Sequence, residues 1–138
     1  MKSRETLTRL KRFQVDEKRR QVAQIEAMIA DFMRMANDLD REILAEQERA
    51  GIHDVGHFAY PTYARAAAQR RDNLITSAEE LKTQLEEAQA ALGEAFEELK
   101  KVELLGERDH ARGRAQEAQR EQQAMDEIGM RQHSRRAS

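Results

Sequence analysis

The sequence predicts an all-α protein built as a long two-helix antiparallel coiled-coil hairpin. Three observations predict it. Apolar residues recur every seven positions along two separate arms, chain-breaking residues cluster in one short segment between the arms, and the rest of the chain is composed of strong helix formers.

The first arm carries two interleaved series. Val15, Val22, Ile29, Ala36 and Ile43 lie seven apart, and Lys18, Ile25, Phe32, Leu39 and Glu46 follow three residues later. Eight of these ten positions are apolar, which places the first series at a and the second at d of a heptad. The second arm has Leu74, Leu81, Ala88, Ala95 and Val102 at d, and Ala78, Leu85, Leu92 and Leu99 at a. A seven-residue repeat held this long requires a left-handed supercoil, because the seam otherwise drifts around a straight helix.

Between the arms, Gly51, Gly56 and the single proline, Pro61, fall within eleven residues. These breakers set a loop at 51–61, with one helix over 3–50 and another from 62. At 1.5 Å per residue the first helix would be a rod of about 70 Å. Proline suits the start of the second helix, where a missing N–H costs nothing.

Charge supports folding back. Residues 1–20 carry eight basic and three acidic side chains. A hairpin sets them beside about residues 92–112, a stretch that includes Glu94, Glu97, Glu98, Glu103, Glu107 and Asp109. Nearer the loop, Glu42, Glu46 and Glu48 come opposite Arg65, Arg70 and Arg71. Exposed pairs are worth about 0.2–1 kcal/mol each, so their contribution is to orientation more than to stability. Two registers satisfy the seam. The preferred one pairs Phe32 with Leu85, Ile25 with Leu92, Val15 with Val102 and Ile43 with Leu74. The other, one heptad away, pairs Phe32 with Ala78 and Ile25 with Leu85.

Beyond Leu105 the apolar pattern thins and Gly106, Gly113 and Gly129 appear. The second helix is therefore expected to overhang the first and to fray, giving a single hairpin domain over 1–128 and a disordered tail over 129–138.

Composition narrows the function. Charged residues make up 36% of the 138 positions and aromatics 4%, so the chain buries a narrow seam instead of a broad interior. Net charge is −2, which gives no overall pull toward nucleic acid. The absence of cysteine excludes disulfides, thiolate zinc sites and thiol nucleophiles. The charged start, Met1 to Arg12, does not read as a secretory signal, and no window approaches the roughly 20 apolar residues of a membrane span. The expectation is a soluble, cytoplasmic protein.

No constellation points to catalysis. His53 and His57 flank Asp54 in the loop, but no third ligand stands near, so two solvated histidines are the simpler reading. The glutamate pairs Glu79-Glu80, Glu86-Glu87 and Glu97-Glu98 lack a cleft to desolvate one member. Neither Gly51 nor Gly56 belongs to a P-loop. The reading is a non-enzyme with no cofactor and no metal.

The basic clusters Lys11-Arg12, Lys18-Arg19-Arg20, Arg70-Arg71 and Arg135-Arg136 are interleaved with acids and have no aromatics to stack bases. Intramolecular pairing is their simpler role. Three of the six aromatics, Phe58, Tyr60 and Tyr63, lie within six residues at the hairpin tip. They either form a partner surface or pack as a cap on Ile52 or Val55. Met28, Met33 and Met35 flank the first seam and widen it.

The start Leu7-Thr-Arg-Leu-Lys-Arg-Phe13 leads into the first heptad helix, and the second helix carries Phe96-Glu-Glu-Leu-Lys-Lys-Val-Glu-Leu-Leu-Gly-Glu-Arg108. With the two-arm layout and the length, this resembles the flagellar export protein FliJ family in its alphaproteobacterial form, over nearly the whole chain. The resemblance implies a cytoplasmic part of the flagellar type III export apparatus, peripherally associated with the flagellar base. It implies a stalk-like coiled coil whose paired termini enter the ring of the export ATPase, and which also contacts the export gate protein and export chaperones. On that reading Arg4, Leu7, Arg9, Leu10, Lys11, Arg12 and Phe13 face the ATPase, and Phe58, Tyr60 and Tyr63 face the gate.

Two rivals stand beside it. One is a prefoldin-like holdase or other coiled-coil scaffold that grips unfolded clients at its tip. The other is a nucleic-acid-binding coiled coil using Lys18-Arg19-Arg20. The same seams also permit a homo-oligomer through helix pairing between chains.

Overall fold

In the computed structural model, which describes residues 2–137, the chain forms two α-helices and no strand among the described residues. Helix α1 spans Lys2–Ala50 and helix α2 spans Thr62–Ala137. The two pack as the antiparallel hairpin expected from the paired heptads. They divide into two compact units, one made of residues up to Arg12 with Glu97 onward, the other of Phe13–Phe96.

In the central unit, 13–96, the heptad positions form the interior. Val15, Val22, Ala36 and Ile43 are buried on α1, and Ala64, Ala67, Ala78, Leu81 and Ala95 are buried on α2. All occupy a or d. The d residues Lys18, Ile25, Phe32 and Leu39 are half-buried, so the seam is narrow, as the low aromatic content implies.

The helix ends are capped by local chemistry. Gly51 adopts φ +71°, a left-handed conformation that lacks a steric penalty only in glycine. Its N–H donates to the Glu48 carbonyl and that of Ile52 to the Gln47 carbonyl, which satisfies two free carbonyls in a Schellman cap. In the loop, the Gly56 N–H donates to Asp54 Oδ1, closing a tight turn. The Arg65 N–H donates to the Pro61 carbonyl and opens α2.

Register is corrected. Arg71 binds Asp40 at 2.8 Å, and the Tyr63 hydroxyl donates to Glu42 at 2.7 Å. These pairs fit the alternative that sets Phe32 against Ala78 and Ile25 against Leu85, and not the preferred Phe32–Leu85 pairing. The reason lies at the loop. The preferred register runs the first turn of α2 past the end of α1, leaving Ala64 with nothing to pack on. Instead Ala64 and Ala67 cluster with Ile43 and Tyr60, backed by Leu39, Ile52 and Ala68. Near the loop, Ile43 on α1 thus packs against alanines on α2.

In the terminal unit, Lys11 binds Glu98 at 2.8 Å, Arg12 lies 3.8 Å from Glu103, and Arg4 binds both Asp109 and the Leu105 carbonyl. The expected attraction between the basic start and the acidic stretch is met. Near the loop the partners differ: Arg71 takes Asp40, Glu46 pairs with Arg49 on its own helix, and Arg65 donates to the Val55 carbonyl.

Past Asp109, α2 runs beyond these cross-arm pairs, and every position from His110 to Arg136 is exposed. The helix nevertheless continues to Ala137, past the boundary at 128 set from the sequence. The run of Ala, Gln, Glu and Arg favours helix, and Gly129 opposes it there by only about 1 kcal/mol.

Candidate functional site

The candidate surfaces lie in two places, the start of α1 and the loop. On α1, the heptad phase decides what each side chain faces. Arg4 and Lys11 occupy d positions and are half-buried, which is why they reach across to Asp109 and Glu98. Leu7, Arg9, Leu10 and Arg12 fall outside the seam and are exposed. Phe13, the first residue of the central unit, is exposed as well. Of the residues assigned to the ATPase-facing end, two are therefore engaged mainly within the hairpin, Arg12 is loosely paired, and the apolar trio Leu7, Leu10 and Phe13 is open to solvent.

The electrostatics of this end follow from the pairs. The hydrogen bond from Lys11 and the charge behind it hold the Glu98 carboxyl below the usual glutamate range. An open groove of about 820 Å³ runs along the terminal unit, lined among others by Arg4, Thr8, Arg9, Val102, Gly106 and Arg114. A Cβ on Gly106 would meet nothing within 4 Å, so no close approach requires glycine there.

At the loop the three aromatics separate. Phe58 is 96% exposed, its ring stacked on His57 at 4.7 Å. Tyr63 is half-exposed on the first turn of α2, and its bond to Glu42 raises the phenol above its ordinary value. Tyr60 is 6% exposed. Its hydroxyl accepts from Gln47 Nε2 at 2.9 Å, and the Arg65 guanidinium lies 5.4 Å above its ring. Tyr60 is thus the cap of the hairpin core, Phe58 the open surface, and Tyr63 lies between. Of the two residues offered as packing partners, Ile52 joins the cluster and Val55 stays exposed.

The basic triplet Lys18-Arg19-Arg20 is partly occupied: Lys18 sits at the seam, and the Arg19 guanidinium stacks 4.9 Å over Phe96. The heptad pattern alone gives no sign of that contact, although an Arg one position past a d residue with an aromatic on the facing arm is a usable signal. Among the described residues, no group of three His, Cys, Asp or Glu is placed to hold a metal ion. No helix of the described residues is long and apolar enough to cross a membrane.

A model of the flagellar FliJ protein family matches residues 1–138. The chain belongs to the FliJ family. As a FliJ-family chain it is a component of the flagellar export apparatus. No curated protein and no solved structure matches it. The hairpin, the basic start and the long second helix are therefore features of a FliJ-family export component.

Proposed function

We propose that this chain is a non-enzymatic stalk-like adaptor that couples the flagellar export ATPase to the export gate and to export chaperones. Family membership supports the setting, and the difference between the two candidate surfaces supports the coupling role. One, in the terminal unit, presents Leu7 and Leu10 beside Arg9 and Arg12. The other presents Phe58 on a capped loop.

The Leu7 and Leu10 surface is assigned to the ATPase, with Phe13 in the central unit as a separate contact, and Phe58 with Tyr63 to the gate. Apolar side chains supply the affinity, and the surrounding arginines steer association with an acidic surface. The test uses the purified export ATPase. Capture on the full-length chain and a change in ATP turnover are expected. Leu7→Ala with Leu10→Ala should weaken both while leaving helix content unchanged. No capture and no change in turnover would refute the coupling role.

A further inference from the structure

The apolar strip of α2 changes face along the helix. Through Val102 it follows the a and d positions that meet α1. Leu104 breaks that rule: it is exposed although α1 runs beside this part of α2, so it points away from α1. Ala111, Ala118 and Met125 follow Leu104 at intervals of seven, and Ala115 and Ile128 lie on the same side. In heptad geometry this strip is about half a turn from the seam.

Two observations indicate what covers it. From His110 to Arg136 every position of the helix is exposed. Helical stability in water comes mostly from packing an amphipathic face, and this stretch also contains Gly113 and Gly129. Charge varies in net blocks along it. Residues 108–114 hold Arg108, Arg112 and Arg114 against Asp109, residues 117–127 hold Glu117, Glu121, Asp126 and Glu127 against Arg120, and a basic end follows; Glu103 and Glu107 precede them.

We propose that the overhang of α2 pairs antiparallel with the overhang of a second copy of this chain, through the Leu104–Ile128 strip. Running antiparallel, with the two-fold axis near Gln119, the net-basic stretch 108–114 meets the net-acidic stretch of the other copy, and only Glu117 against Glu121 sets like charges together. Arg112 comes opposite Asp126, and the basic end comes opposite Glu103 and Glu107. Met125 packs on Ala115 of the other copy. A parallel dimer sets every block against its like, and like charges side by side oppose it. The contact uses a different face from the a/d seam, so it leaves the hairpin intact, and it does not depend on the adaptor reading.

Sedimentation equilibrium on the full-length chain tests it. The weight-average mass should rise with concentration from 16.0 kDa toward twice that value. Met125→Asp with Ile128→Asp should hold it at the monomer without altering the thermal melt of the hairpin. Arg112→Asp should weaken the dimer about tenfold or more, and Arg112→Asp with Asp126→Arg should restore it. Because the chain has no cysteine, Gln119→Cys supplies a unique thiol beside the axis and should cross-link on oxidation. Gln116→Cys, on the far face, should not. A wild type monomeric at every concentration overturns the proposal. So does a dimer indifferent to the Met125 and Ile128 changes, a charge swap that fails to recover, or preferential cross-linking through position 116.

Discussion

Arg71 occupies an a position of the α2 seam and is held there by Asp40, 2.8 Å away on α1. A cation in the seam interrupts the apolar series of the second arm, and the pairing fixes which residues face one another. The bond to Asp40 is the main reason the guanidinium holds its proton more tightly than usual. Asp72 supplies a second carboxylate at 3.1 Å. Asp40→Ala should therefore cost about 0.5–1 kcal/mol, the upper range for a partly exposed pair. Arg71→Leu should be neutral or stabilising, since an apolar residue at a seam position avoids desolvating a charge. Paired denaturant melts check both. Strong destabilisation by Arg71→Leu would contradict the assignment of this residue to the seam.

The alanines carry a second prediction. Ala78 is completely buried at the position facing Phe32. A larger side chain there forces the helices apart or drives Phe32 off its rotamer. Ala78→Leu should cost about 1–3 kcal/mol by overpacking, whereas Ala90→Leu, on the exposed face, should fall within about 0.5 kcal/mol of wild type. Thermal and denaturant melts of the two variants make the comparison. Equal effects at the two positions would contradict the placement of Ala78 in the seam.

Much of this architecture was legible in the sequence because it rests on periodicity. The buried and half-buried residues fall overwhelmingly on the predicted a and d positions, and Gly51 and Pro61 mark the ends of the loop. Register was not legible, because a slip of one heptad still sets apolar residues against apolar residues. What selects it is specific: Asp40 reaching Arg71, and Tyr60 with Ala64 closing the tip. The fate of the three loop aromatics was equally hidden. Adjacent positions in an irregular loop point in different directions, and no period says which one turns inward.

The terminal unit gives a pH prediction. Glu98 is held below the usual carboxylate range by the hydrogen bond from Lys11 and by its charge. A carboxylate with a depressed folded-state value contributes stability above the ordinary glutamate range, and loses it as pH falls through its own lowered midpoint. Acid should therefore loosen the contact of α1 with residues 97–109 in the acidic range. An NMR titration should find the Glu98 midpoint lowered in the wild type and raised toward the ordinary value in Lys11→Met. An unchanged Glu98 midpoint in Lys11→Met would place the cause of the shift elsewhere.

Tyr60 and Phe58, two residues apart, should respond oppositely to truncation. Tyr60 fills the hairpin cap and accepts a hydrogen bond from Gln47. Tyr60→Ala opens a cavity under the loop and should cost about 3 kcal/mol, at the low end for a buried aromatic because the loop has room to collapse. Tyr60→Phe keeps the packing and should cost about 1 kcal/mol, since it leaves the Gln47 amide to find water. Phe58 touches only His57 among the ring contacts of the described residues. Phe58→Ala should leave the melt within about 0.5 kcal/mol of wild type while reducing capture of the purified export gate protein. A variant that lost stability at Phe58 and kept it at Tyr60 would invert the roles assigned to the two rings.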